Sequence, residues 1–509
     1  MDLKEELASL LAAGTPLVQL VTYEEDRVVS TLESIEGTRS LGLVVWDAAD
    51  GFRVVREGND AFPSAPVTPD TILSHLAEKM PPGTIVVLRD FHHAWEQKKS
   101  CVTRKLRNMA PDLRRKNQFL FFTTPEAGLP AELKDDVEVL HVPLPGVPEL
   151  RALFAEITRE VDRSRLPGPE VADRLASSAL GLTTNQARLA FARVWAAFGR
   201  FDEQGIEVII SARERLLQRH CGREFWFAQE NEADVGGLER LKAWIRGRVC
   251  LSGADERLDG RNLPASLALV GIPGTGKGLA VRMLSGVWKL PVMRLDMGVL
   301  FCLPASDVQK RLSAAISKAE KFSPCILWLS GLHNSYTGYG FPGEGDARSA
   351  GPLLTWMREH RSPVHVVATL DDISAVPPVL MYSFERVFLL DIPHAAERRA
   401  IFLIHLRRSG VVLVERRLCL DELVERSQGF TGSEIERVVR ESQFAAFRDG
   451  CREIEHSDLQ RSLSEIVPLG RLYAEAMKKT GRWMTDGGAL PASADPPGSQ
   501  ADGGRVFDV

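Results

Sequence analysis

Short apolar runs alternate with amphipathic stretches along this chain, and the series occurs twice. Runs over 16–22, 41–46, 84–90, 119–123 and 137–140 have the length of buried strands, while 3–13 and 69–80 carry the spacing of amphipathic helices. Strands alternating with helices predict a parallel sheet covered on both faces. The pattern then turns wholly helical over 149–161, 169–178, 185–198 and 207–217, which predicts a lid-like appendage. A second series follows, with apolar runs over 267–270, 325–329, 365–369 and 387–393 and helices again from 397.

The two series match in detail. Cys325-Ile326-Leu327-Trp328-Leu329-Ser330-Gly331-Leu332-His333 mirrors Thr84-Ile85-Val86-Val87-Leu88-Arg89-Asp90-Phe91-His92. Glu397-Arg398-Arg399-Ala400-Ile401-Phe402 mirrors Glu149-Leu150-Arg151-Ala152-Leu153-Phe154, and Gly429-Phe430-Thr431-Gly432-Ser433-Glu434-Ile435 mirrors Gly181-Leu182-Thr183-Thr184-Asn185-Gln186-Ala187. Strand order, prolines and lid loops agreeing at a nearly constant spacing predict two tandem copies of one module, each a parallel α/β sheet with flanking helices and a helical lid. The expected domains are 1–145 and its lid 146–220, then 221–394 and its lid 395–484. The tail 485–509, rich in Gly and Pro with few apolar residues, is expected to be disordered.

Composition narrows the class only mildly. A net charge of −5 excludes a wholly basic nucleic-acid binder. The basic run that starts at Lys98 and ends at Lys116 is a local nucleic-acid candidate, but such runs are usually solvated helix faces, so nucleic acid is disfavoured. Seven cysteines without a CxxC pair predict free thiols and no metal site. No apolar run reaches the ~18 residues of a membrane span, so a cytoplasmic protein is expected.

Chemistry concentrates in the second series. Gly271-Ile272-Pro273-Gly274-Thr275-Gly276-Lys277-Gly278-Leu279 follows an apolar strand and opens a helix. Backbone N–H groups of such a loop, with the helix N-terminus, form an anion site, and Lys277 is placed to reach the β and γ phosphates. A Ser or Thr hydroxyl should follow the lysine to ligate magnesium, and Gly278 stands there.

With Asp234-Val235-Gly236-Gly237-Leu238, the loop ending at Lys277, Val366-Val367-Ala368-Thr369 and the segment 429–436, residues 1–475 resemble the AAA+ ATPases. More narrowly they resemble the poorly characterised AAA proteins of plastid and cyanobacterial genomes and their bacterial relatives. The resemblance implies ATP or ADP held by Asp234, Val235, Gly236 and the loop from Gly271 to Leu279, and a ring-forming protein. It also implies groups that this chain lacks. The strand that should end in Asp-Glu ends in Ser330-Gly331, and the sensor asparagine is matched by Asp371 or Asp372. The trans-acting arginines have no counterpart over 379–386.

Loss of a water-activating base typically removes roughly 10²–10⁴-fold in rate, and an arginine finger roughly 10³–10⁵-fold. The expectation is therefore a pseudo-ATPase with magnesium weakly held or absent. It would act as a scaffold or regulator, self-associating or mixing with an active AAA paralogue. The competing expectation is an active remodeller, with Glu344, Asp346, Asp371 or Asp372 relocated into the site or a partner completing it.

Overall fold

The computed structural model describes residues 3–35, 40–56, 68–97, 99–125, 128–159, 165–221, 224–248, 266–301, 303–335, 351–372 apart from 361, 376, 378–410, 418–477 apart from 476, and 489–494. Two compact units emerge, 1–159 with 182–189, and 160–181 with 190–509.

The first unit is built on six strands: β1 (Leu17–Val21), β2 (Gly42–Asp47), β3 (Gly51–Arg56), β4 (Thr84–Arg89), β5 (Phe119–Thr124) and β6 (Glu138–His141), in the order β3-β2-β4-β5-β1-β6. Leu17, Val18, Leu20, Val86, Val87, Phe121 and Phe122 are fully buried, as expected of strands covered on both faces. Apolar side chains of opposite parity feed two cores, one around Trp46, Phe91 and Leu106 and the other around Val18, Val28 and Phe121. The basic run forms the helix Lys99–Arg115, in which Arg107 pairs with Asp136 at 2.8 Å and Arg115 with Asp112. Lys98 lies outside the described residues.

The second unit has seven strands: β7 (Phe225–Trp226), β8 (Ser266–Val270), β9 (Val292–Asp296), β10 (Cys325–Ser330), β11 (Val364–Leu370), β12 (Arg386–Leu389) and β13 (Leu490–Pro491), in the order β13-β12-β8-β11-β10-β9-β7. The run β9-β10-β11-β8-β12 repeats β2-β4-β5-β1-β6 of the first unit strand for strand. Neither sheet is wholly parallel: β3 pairs antiparallel with β2 and β7 with β9, an edge strand on the same side in each unit.

Of the helices over 146–220, the last packs on the second sheet, where Leu217 joins the core and buried Arg213 donates to the Pro324 carbonyl at 2.6 Å. The tail expected to be disordered from 485 is ordered over 489–494. There β13 pairs with β12, Ala492 is fully buried, and its carbonyl accepts the Arg240 and Leu241 N–H groups at 3.0 and 3.1 Å. Unpaired edge groups of β12 and the helix N-terminus at 240–241 supply the partners that composition alone did not reveal. Residues 481–488 and 495–509 lie outside the described residues.

No helix among the described residues is long and apolar enough to cross a membrane.

Candidate functional site

At the C-terminal ends of β8 and β11, in the second unit, the glycine loop opens into the helix Lys277–Trp288. Gly274 and Gly276 have φ of +86° and +97°, which only glycine adopts without strain and which curl the loop around a cavity of about 480 Å³. Of the twelve residues expected to hold nucleotide, Asp234, Val235, Gly236, Pro273, Gly274, Thr275, Gly276, Lys277, Gly278 and Leu279 line this cavity. Gly271 and Ile272 lie beneath it and present their carbonyls to Lys277.

Lys277 is buried and fully engaged. Its Nζ donates to Gly271 O at 2.6 Å and Ile272 O at 2.8 Å and meets Asp371 Oδ1 at 2.7 Å. Burial pulls the ammonium below its ordinary pKa while Asp371 opposes the shift. Asp371 is also fixed by His333, whose Nδ1 accepts the Asp371 N–H at 3.2 Å. Burial in turn lowers the His333 pKa, with Asp371 pulling the other way. Asp371, one of the two residues matched above to the sensor position, thus holds the lysine expected to reach phosphate.

The lid supplies a wall that sequence reasoning left out. Buried Glu397 accepts the Leu238 N–H at 3.0 Å, and a Cβ on Gly236 would stand 2.7 Å from Ile401 Cγ1, so the 234–238 segment is clamped against the helix Ala395–Arg408. Ile401 and His405 project from that helix into the cavity, and burial holds His405 below the ordinary imidazole value against the pull of Glu436. The helix Gly432–Arg448 brings its N-terminus to the loop: Ser433 N donates to Gly274 O at 3.1 Å, and a Cβ on Gly274 would lie 2.3 Å from Ser433 Oγ. The spacing of Ile401 and His405, four residues apart on one helix face, was the available signal. Ser493, from the tail, also lines the cavity.

Where magnesium should sit, the residues do not fit it. Gly278 offers no hydroxyl, and a Cβ there would face the Trp328 indole, 3.5 Å from Cη2. Ser330 Oγ accepts from Arg294 Nε at 3.0 Å, so the one side-chain oxygen there is already engaged by a guanidinium. Among the described residues no group of three or more His, Cys, Asp or Glu could hold a metal ion. Glu344 and Asp346 lie outside the described residues.

The first unit has a carboxylate at the corresponding turn. Buried Glu24, after β1, accepts the N–H of Thr184 and pairs with Arg27 at 2.8 Å, and Arg27 also holds Glu149 at 2.9 Å. An internal anion thus meets a lid-helix N-terminus there, as Gly274 O meets Ser433 in the second unit.

Comparison with known proteins agrees with this architecture. Residues 3–142 match the family model described as SpoVK-like AAA ATPase, N-terminal domain, and 148–220 match its second domain. Residues 267–392 match the ATPase family associated with various cellular activities (AAA), and 418–461 the AAA+ lid domain. The uncharacterized AAA domain-containing protein ycf46 of Guillardia theta is 29% identical over 494 residues, covering 96% of each chain. Its namesake in Pyropia yezoensis is 28% identical, over 97% of this chain and all of that one. The ATP-dependent zinc metalloprotease FtsH 2 of Sphaerobacter thermophilus is 27% identical over 52% of this chain and 42% of its own length.

Proposed function

Because the chain belongs to the AAA+ ATPase family, whose members bind ATP or ADP and typically oligomerise, we propose that it is a nucleotide-binding AAA protein that has lost hydrolysis and works as a scaffold or regulator of a protein assembly. The observation that carries this reading is the end of β10. Ser330 and Gly331 stand where a hydrolase keeps a metal-orienting carboxylate and a water-polarising one, and the Ser330 hydroxyl is bound by Arg294. Water attack on a phosphoryl group needs both a positioned base and charge neutralisation at the transferred group. The loop amides and Lys277, the groups through which such a loop binds phosphate, remain.

Self-association, or mixing with an active AAA paralogue, follows from this reading, since a non-hydrolysing subunit can fix ring geometry without turning over.

The test is phosphate release by the purified chain and by Lys277→Ala, beside calorimetric titration with ATP and ADP. The expected result is measurable binding that the substitution weakens, with phosphate release at background for both chains. Phosphate release that Lys277→Ala abolishes would overturn the reading in favour of an active remodeller.

A further inference from the structure

Resting on the reading that this pocket binds nucleotide, we propose that Arg294 takes the electrostatic place of a divalent metal, so that the site binds a nucleoside triphosphate metal-free. Arg294 rises from β9, its guanidinium carbon 5.0 Å from the centroid of the Trp328 ring, and reaches along β10 to Ser330 Oγ at 3.0 Å. A Cβ on Gly278 would stand 3.5 Å from Cη2 of that same indole. One tryptophan therefore lies against both positions from which a metal would ordinarily be held, and a fixed cation rests on it.

The substitutions fit one another chemically. An aspartate at 330 would neutralise Arg294, whereas serine accepts its hydrogen bond and leaves its charge available. Asp296, 3.4 Å from Arg294 Nη2, is a loose partner, and about half of the Arg294 side chain, 51%, remains open to solvent. A guanidinium offers planar paired donors that match phosphate oxygens. The indole face holds it by cation–π attraction.

Arg294 stands in a space that adjoins the proposed nucleotide pocket. It lines a cavity of about 980 Å³ beside Trp226 and Trp328. Glu230, Asp234, Arg282 and Arg408 line both that cavity and the nucleotide pocket, so the two spaces adjoin.

The experiment is calorimetric titration of the full chain with ATP and with ADP, in magnesium and in EDTA, for the unaltered protein, Arg294→Met and Arg294→Lys. The unaltered chain should bind ATP with affinities within about threefold in the two buffers. Arg294→Met keeps an apolar stem on Trp328 and should lose about tenfold or more in ATP affinity in EDTA while ADP changes little, the size of a charge-assisted hydrogen bond. Arg294→Lys should recover part of the loss. A gain of tenfold or more from magnesium in the unaltered chain overturns the proposal, as does Arg294→Met binding ATP in EDTA like its parent. If Arg294→Met fails to fold, the metal comparison on the unaltered chain decides alone. Absence of heat with either nucleotide at millimolar concentration would overturn the nucleotide-binding reading and this proposal with it, whereas metal dependence alone would leave that reading standing.

Discussion

On the proposed reading, a bound phosphate and Asp371 would compete for Lys277. The ammonium is buried, so leaving it unpaired would be costly, and Asp371 together with the Gly271 and Ile272 carbonyls satisfies it in this conformation. A nucleotide has to displace that carboxylate and also bear its charge near the phosphates. Asp371→Asn removes both penalties while keeping a hydrogen-bonding group. ATP affinity should rise about tenfold, roughly 1.4 kcal/mol, as read by titration in EDTA. An unchanged or weaker affinity would show that Asp371 is no competitor. Gly278, Ser330 and Gly331 were legible from the sequence as candidate departures because each stands at a fixed offset from the glycine loop or its strand. Arg294 was not, because a single arginine in a strand carries no signal until its side chain is seen beside Ser330.

Among elements, the lid helices wall the pocket. Thr431-Gly432-Ser433-Glu434 has capping-box spacing, and the Glu434 carboxylate accepts the Thr431 N–H at 2.8 Å and the Leu469 N–H at 2.8 Å, holding the helix N-terminus beside the loop. Further along the lid, buried Asp458 accepts Arg452 Nη1 and Nη2 at 2.6 and 2.9 Å and the Glu455 N–H at 3.0 Å. The Arg452 hydrogen bonds hold the Asp458 carboxyl below its ordinary value of 3.8, against the opposing effect of burial. A depressed folded-state pKa contributes stability that is present above the unfolded value and lost as pH falls through the folded one. The lid should therefore lose stability as pH drops below about 4, and Asp458→Asn should flatten that dependence at the cost of a weaker lid at neutral pH. Urea titrations across pH on both chains check this. An identical acid limb in the variant would count against the Arg452–Asp458 pair as its source. The lid loop was readable from its local spacing, whereas Ile401 and His405 reach the cavity only through the packing of the helix that carries them.

For the whole molecule, the repeated strand order of the two sheets was foreshadowed by the repeated run of apolar segments, because buried parallel strands must be apolar on both faces wherever they occur. The tail departs from that logic. Its sequence lacks the apolar content to order itself, yet Ala492 N donates to Leu389 O at 2.9 Å and its carbonyl accepts two N–H groups at the start of the helix Glu239–Arg246. Deleting 489–509 should lower the stability of the second unit by about 1–3 kcal/mol, through loss of the β12–β13 pairing, the partly replaceable hydrogen bonds of Ala492 and its buried side chain. It should also weaken nucleotide binding, since Ser493 lines the cavity. Tryptophan fluorescence in a urea series checks the first effect and titration the second. An unmoved urea midpoint would mean that β13 contributes nothing to stability.

The sequence by itself determined the duplicated α/β framework, the glycine loop ending at Lys277, and the Ser330-Gly331 end of its strand, because periodicity and fixed motif spacing are local properties of the chain. Only the tertiary structure decided that Asp371 holds Lys277, that Arg294 stands over Trp328 beside Ser330, and that the tail joins the sheet. Each of these pairs residues far apart in the chain, and their partnership depends on strand register and side-chain direction, which no local pattern encodes.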